Sequence, residues 1–460
     1  MTIHTKGSLT VKDVANMTGG SLIGFSDSAI LQITTDSREI GEGALFIAIR
    51  GERFDGNDYV NAAILGGATC VLCERLPANF SGCAVVVPDT RIAMADLARS
   101  YKARISPITV GVTGSVGKTT TKEFIYAVLS ERYYTLKTFG NYNNEIGLPM
   151  TILGIAPDHT AAVLEMGMSG KGEIDHLTRI ACPDVAVITT IGTSHIGILG
   201  SREAIRDAKM EIKNGLSENG ILILNGDEPL LSGVDGALYV ALDNHNADCY
   251  ADNIIEGEHG TAFDIVLHGE RFECITIPTI GRHNVLNAAF AWMVGTVVGI
   301  GEFQMRRGLM KFKNVSMRQN VYTGNGRIII EDCYNASPES MVASLSVLTN
   351  IAEKKKRRAV AVLGDMCELG EYSREGHFSV GKAVAERKID VLITFGKEAE
   401  EIARSAVSFG LNSENVYTFT DLDDAQALGK ALLRITKQGD VILFKASRAV
   451  SLERAIAFIK

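Results

Sequence analysis

No stretch of this chain approaches the ~18 consecutive apolar residues that a membrane span requires. The opening segment, MTIHTKGSLTVKDVANMTGG, has no long apolar run either. The expectation is a cytoplasmic protein without a membrane span. Broad positive charge is also missing. Lys and Arg number 46 against 54 Asp and Glu, a net charge of −8. That balance gives none of the basic surface on which nucleic-acid binding depends. The one basic run, Lys354 to Arg358, reads as a solvated helix end, where cations suit the C-terminal dipole. Paired cysteines are scarce. Of eight cysteines, only Cys70 and Cys73 form a Cys-x-x-Cys, and no second pair completes a zinc site. Cys182, Cys274 and Cys333 lie in or beside apolar stretches and read as buried thiols, a pattern that suits a reducing compartment. The chain has no sequence repeat and no low-complexity linker.

The remainder is the composition of a packed globular protein, with 46% hydrophobic and 22% charged residues. At roughly 100–200 residues per domain, 460 residues imply two to four domains. Many of the 46 glycines end apolar runs, as they do in sheet-and-helix proteins. Three blocks follow, at 1–106, 107–315 and 316–460. The first alternates short apolar runs (44–49, 70–73, 84–87) with small helical stretches such as 59–65, a small α/β unit. The second opens on a strand at 108–112 and adds buried strands at 162–165, 185–191 and 221–225. The third alternates most cleanly, with strands at 327–331, 359–363, 391–395, 416–419 and 441–444 and helical patterns between them, among them 338–351 and 424–435. Such alternation implies right-handed βαβ units and a mostly parallel sheet. The fold class expected is α/β throughout.

The sharpest motif is GVTGSVGKTTT at 111–121. A Gly-x-x-x-x-Gly-Lys-Ser/Thr loop cradles phosphates with backbone N–H groups, reaches them with its lysine and holds Mg²⁺ with its hydroxyl. Gly117, Lys118 and Thr119 fit that pattern, but Val112 stands where its first glycine belongs, and the glycine is Gly114 instead. The candidate phosphate cradle is therefore Gly114, Ser115, Val116, Gly117, Lys118, Thr119 and Thr120. An apolar strand precedes it and an amphipathic helix follows, with Phe124 and Val128 on one face beside Ile125 and Leu129. Glu165 ends an apolar strand, so its carboxylate should emerge at a carboxyl edge, where ligands bind in open α/β sheets. His195 follows another strand, and Lys209 sits in a helical pattern fourteen residues on. Taken alone, these three read equally well as a surface glutamate, a structural histidine and a solvated lysine.

At this point the residues resemble a known family, the Mur ligases of peptidoglycan synthesis. The motifs that carry the resemblance are TTDSREIGEGALFIAIRGERFDGNDYV in the first block, TGSVGKTTTK, NYNNEIGLP, LEMGMSGKGEI, HIGILGSREAIRDAKMEI and GRHNVLNAA in the second, and DCYNASPES, AVLGDMCELGEYSREGH and FKASRAVSLE in the third. Within the family, DCYNASP and VLGDMCELG look like the branch that adds D-alanyl-D-alanine, and the Asn-Pro-Arg signature of ligases that add the third peptide residue is not found. The resemblance implies an N-terminal domain for the UDP end of the substrate, a central P-loop ATP domain and a C-terminal Rossmann-like domain on the dipeptide side that completes the ATP site. It also implies the reaction. The carboxylate of a UDP-N-acetylmuramoyl-tripeptide attacks the γ-phosphate of ATP, and the amine of D-alanyl-D-alanine then attacks the acyl phosphate. The rival readings are another amino-acid ligase of the family and, more distantly, a nucleotide-driven switch that joins nothing.

Residue by residue, the resemblance matches Lys118 and Thr119 to the β- and γ-phosphates and Mg²⁺, Glu165 to a Mg²⁺ ligand and His195 to a ligand of a second Mg²⁺. Lys209 matches the lysine that several members convert to a carbamate. Asn284 and Asn287 match adenine-side asparagines, Arg318 an arginine near the phosphates, and Asp332, with Asn335 nearby, the acid that meets the ribose. By spacing alone, Asp332 could equally be a helix cap. Ser37 and Arg38 match the uridine-diphosphate end, where an arginine fork suits a diphosphate. Asn143, Asn144, Lys445 and Arg448 match substrate-side positions, and a monomer is implied. Two departures stand out. Ala446 replaces the glycine of Lys-Gly-Ser-Arg, which puts a close backbone approach in question, and Asn57 replaces a histidine, a minor change.

Overall fold

Runs such as ITVGVT and AAVLE are apolar on both alternating faces, the pattern of strands covered by helices on both sides. They form Ile108–Thr113 and Ala161–Glu165, and with Val185–Ile188 they are almost wholly buried. The structure, a computed structural model, describes residues 1–258 and 260–460, the side chain of Ser8 excepted. Among the described residues there are three sheets, of six, nine and six strands.

In the first sheet the parallel strands Ala29–Thr34, Ala44–Ile47, Ala68–Cys73 and Ala84–Val86 are flanked by Thr2–Thr10 and Ser21–Ile23, each pairing antiparallel at an edge. In the second, Ile108–Thr113 lies between Ala161–Glu165 and Val185–Ile188, parallel to both. Ile221–Asn225, Leu238–Ala241 and Cys249–Glu256 extend this sheet in parallel, and Thr261–Leu267 and Glu270–Ile277 close it antiparallel. The third sheet runs Asn320–Gly324, Arg327–Glu331, Val441–Lys445, Ala359–Gly364, Val391–Phe395, Val416–Phe419, parallel except for its first strand. Three α/β regions around three sheets are the fold class read from the sequence. Among the described residues no helix is long and apolar enough to cross a membrane.

Several local expectations are revised. The strand read at 185–191 ends at Ile188, because Thr189 and Thr190 leave the sheet to bind the phosphate loop. Four strands between Leu238 and Ile277, and the edge strand Asn320–Gly324, add to those read from the sequence. The outer ones are half-exposed and mix polar or charged with apolar residues, so they lack the continuous apolar signal. The basic run does end a helix, Pro338–Lys355, with Lys356 in a left-handed cap. It is not merely solvated, however. Lys354 Nζ donates to the Glu256 carbonyl at 2.5 Å and Lys355 pairs with Glu258, tying the third region to the second. Cys333 is buried, but Cys182 is only half-buried and Cys274 is exposed, since it lies on the outermost strand of its sheet. All eight thiols are free.

Both departures from the family pattern fit locally. The Ala446 methyl is buried against Gly364, where a side chain would come within 2.7 Å of it, so one missing Cβ makes room for the other. Asn57 is buried and bridges its own turn, accepting from Glu74 N at 2.8 Å and donating to Asp55 at 2.8 Å. The helix Arg282–Val297 is buried along most of its length and carries the single tryptophan, Trp292, fully buried with its ring 5.3 Å from that of Phe272.

Candidate active site

The phosphate loop is shaped by two glycines and held by two threonines. Gly114 and Gly117 have φ of +147° and +89°. A Cβ on Gly114 would fall 2.0 Å from Thr189 Oγ1, and one on Gly117 2.9 Å from Asn287 Oδ1. Only glycine meets both demands, backbone and space. Ser115 N donates to the Thr190 carbonyl at 2.8 Å, Val116 N to Thr190 Oγ1 at 3.1 Å, and Thr189 Oγ1 to the Val116 carbonyl at 2.6 Å. Gly117 then starts the helix Lys118–Leu129 without a side-chain cap, leaving N–H groups for an anion. Lys118 folds back, its Nζ 2.7 Å from the Gly114 carbonyl. Burial pushes its pKa down, opposed by the charge of Glu165 and reinforced by that of Arg318.

Glu165 lies in register with Val112 on the neighbouring strand, so its carboxylate emerges beside the loop. It is 2% exposed. Asn143 Nδ2 donates to Oε1 at 2.8 Å, while buried Oε2 has no hydrogen-bond partner among the described residues. Ser115 Oγ is similarly buried and unpaired. His195 adopts φ +64° and brings Nδ1 to 2.9 Å from Glu368 Oε2, close but not aligned as a hydrogen bond. Its proximity holds the Glu368 carboxyl below the usual range. Lys209, on the helix Arg202–Met210, is 1% exposed, and no hydrogen bond or ion pair to its Nζ occurs among the described residues. Burial, and then the charge of Lys118, force its pKa well below that of an ordinary lysine.

A cleft between the second and third sheets is walled by Ser115 to Thr120, Asn284, Asn287, Arg318, Asp332, Asn335 and Lys445. Asn287 Oδ1 accepts from Thr121 Oγ1 at 3.0 Å, and Asn284 Nδ2 donates to Gln319 Oε1 at 3.1 Å. Asp332 is not a helix cap. Ser337 caps the following helix, and the Asp332 carboxylate accepts from Lys445 Nζ at 2.7 Å and Ser344 Oγ at 2.6 Å. Arg318 stacks on the Tyr334 ring at 4.2 Å with its Nε buried and unpaired. Gly114, Glu165, His195 and Lys209 are not part of that wall.

Other expected residues stand apart. Arg38, itself exposed, forks onto the half-buried Asp36 within its own turn at 2.8 and 2.6 Å and depresses the Asp36 carboxyl. Neither it nor Ser37 reaches the cleft wall. Asn144 accepts from Gly147 N at 2.8 Å in the turn that leads into the next helix. Arg448 is engaged with Glu453 at 2.6 Å. Sequence reasoning missed Thr189, Thr190, Gln319 and Ser344, partners recruited from distant chain positions. It also missed Lys122, whose i, i+4 spacing from Lys118 was readable.

The residues present fit a nucleoside triphosphate and a divalent cation. The loop is a cradle that any Cβ would fill, and an unpaired buried carboxylate oxygen stands beside it. Among the described residues no three His, Cys, Asp or Glu side chains cluster. A hard cation here would rely on one carboxylate, a hydroxyl and phosphate oxygens, the usual manner of magnesium.

A phosphate loop on a parallel sheet, an acid on the adjacent strand and a second α/β region walling the cleft define a multidomain nucleotide-dependent enzyme. Three family models match along the chain: "Mur ligase family, catalytic domain" at 29–102, "Mur ligase middle domain" at 112–295 and "Mur ligase, glutamate ligase domain" at 317–448. The UDP-N-acetylmuramoyl-tripeptide–D-alanyl-D-alanine ligase of Bacillus subtilis is 41% identical over 97% of each chain, and that of Escherichia coli 32% over 98% of each. The solved structure of MurF from Acinetobacter baumannii superposes with a TM-score of 0.88 at 29% identity, covering 97% of this chain and 98% of that one. MurF ligase from Thermotoga maritima in complex with ADP gives a TM-score of 0.81 at 34% identity, covering 93% and 96%. The chain belongs to the Mur ligase family.

Proposed function

We propose that this protein is the ATP-dependent ligase that joins D-alanyl-D-alanine to UDP-N-acetylmuramoyl-tripeptide, giving the pentapeptide, ADP and phosphate. The observation that carries the substrate pair is the 41% identity, over 97% of each chain, to the Bacillus subtilis UDP-N-acetylmuramoyl-tripeptide–D-alanyl-D-alanine ligase, and the unpaired, buried Glu165 Oε2 beside a glycine-built phosphate loop supports the use of ATP and a cation. Phosphoryl transfer asks for positioning and charge neutralisation more than covalent help. Lys118 and the N–H groups from Ser115 to Thr120 hold the phosphates, Thr119 and Glu165 hold magnesium, and Asn284, Asn287, Arg318, Asp332 and Asn335 hold the rest of the nucleotide. Magnesium, when bound, neutralises developing charge on the transferred phosphoryl group.

His195 and Lys209 serve a second magnesium, with Lys209 carbamylated. A buried lysine without a hydrogen-bond partner among the described residues, its pKa pushed down by burial, supports that chemistry, since CO₂ adds to the unprotonated amine and yields a carbamate anion with release of a proton. A ¹³C-bicarbonate label should give a carbamate resonance that Lys209→Ala lacks. Ser37 and Arg38 take the uridine diphosphate, Asn143 and Asn144 lie on the tripeptide side, and Lys445 and Arg448 face the dipeptide. The working divisions fall at 1–106, 107–315 and 316–460, in line with the three sheets. Closure of the third region would exclude water from the acyl phosphate. The enzyme acts as a cytoplasmic monomer, with ATP binding first.

Mass spectrometry of enzyme, ATP, Mg²⁺, UDP-N-acetylmuramoyl-tripeptide and D-alanyl-D-alanine should find the pentapeptide. Phosphate release driven by a single amino acid instead would move the protein to another branch of the family, and ATP hydrolysis without any joined product would make it a switch.

A further inference from the structure

Lys122 is 1% exposed and sits one turn beyond Lys118 on the helix Lys118–Leu129. Nothing in the reaction outlined above uses it. Its Nζ donates to the Thr138 carbonyl at 2.8 Å, lies 3.3 Å from Glu123 Oε1, and stands 3.7 Å from Glu165 Oε2 without bonding to it. Thr138 also accepts from Glu165 N through its hydroxyl at 2.9 Å, so lysine and glutamate share one anchor. Glu123 is itself paired with Lys137.

This arrangement separates charge from hydrogen bonding. A buried carboxylate needs a counter-charge, and an ammonium at 3.7 Å supplies one. An ammonium bonded to Oε2 would occupy the lone pairs that a metal needs. Here the ammonium donates to the Thr138 carbonyl, Glu123 Oε1 stands 3.3 Å away as a second counter-charge, and the lone pairs of Oε2 stay free.

We propose that Lys122 is a positioning residue that holds Glu165 ready and limits how tightly the site grips its divalent cation. It steadies the empty site by offsetting the glutamate charge. Once a dication sits on the same carboxylate, the ammonium repels it. The metal is thereby kept exchangeable and can leave with the spent nucleotide. The inference rests on the metal role proposed for Glu165.

The test is a magnesium titration of the ADP-saturated enzyme, read by melting temperature and by calorimetry rather than by turnover. Lys122→Gln keeps a donor for the Thr138 carbonyl and loses the charge. Its half-saturating magnesium should fall about tenfold, the effect of removing one like charge at this range. Lys122→Met, a second neutral variant, should show the same fall, and Lys122→Arg should stay near the parent. Glu165→Gln should weaken magnesium binding. Unchanged or weaker magnesium binding in both neutral variants would overturn the inference while leaving Glu165 as a ligand. Unchanged magnesium binding in Glu165→Gln would instead remove the reading on which it rests.

Discussion

The phosphate loop and the turn at Asp36 to Arg38 were matched to ligands on the same ground, a short motif, yet they differ physically. Around the loop, buried polar atoms lack partners: Ser115 Oγ, Glu165 Oε2 and Arg318 Nε. In the turn, each charge is already satisfied, because the exposed Arg38 forks onto Asp36. An unpaired buried polar atom costs folding free energy, of the order of 1–3 kcal/mol. Trp292 Nε1, Thr394 Oγ1 and Glu453 Oε2 bear it singly elsewhere, so it is the gathering of several such atoms around one loop and cleft that points to a ligand. A self-satisfied surface turn bears none, so its ligand must displace an existing ion pair.

The sharpest way to break this contrast is Lys118→Ala, which should lower turnover by about a thousandfold or more. Retained turnover in a steady-state assay would dissolve the loop's role. Asp332→Asn should come next, raising KM for ATP by roughly tenfold, because it removes a charge-assisted acceptor and leaves Lys445 without its counter-charge. An unchanged KM would place the ribose elsewhere.

Arg38→Ala should be smaller, raising KM for the UDP-linked substrate by about threefold, with KM for ATP untouched. A thousandfold loss there would mean that surface satisfaction is no guide to importance. The smallest effect is thermodynamic. Lys209 has its pKa well below the ordinary lysine value, so the unfolded chain holds a proton that the folded chain lacks. Stability should therefore rise with pH up to the usual lysine range of about 10.4. Denaturation of Lys209→Met at several pH values should show that part of the slope gone, with a gain in stability at neutral pH.

The sequence made contiguous features legible and separated ones obscure. Gly114 to Thr120 could be read because strand, loop and helix follow one another in the chain. The parallel strands of the third sheet were readable because burial on both faces leaves unbroken apolar runs. Thr189 and Thr190 looked like the end of a strand, since nothing local says that a β-compatible threonine will leave its sheet to bind a loop more than seventy residues earlier. The pairing of Asp332 with Lys445, 113 residues apart, depends on two adjacent strand ends and has no local trace. Cys274 looked buried because its neighbours are partly apolar, but an outermost strand turns one face to solvent.

The solitary tryptophan gives this molecule a built-in optical gauge. Trp292 shares a helix with Asn284 and Asn287, and its indole is sealed from water. Emission from the whole chain's only tryptophan therefore reports on the central region alone, and exposing it to solvent shifts that emission to the red. The first and third sheets contribute no tryptophan signal. A melt followed by fluorescence therefore tracks one region, while circular dichroism tracks all three. Coincident curves would mean that the regions unfold as one unit, and separated curves would resolve the order in which they come apart.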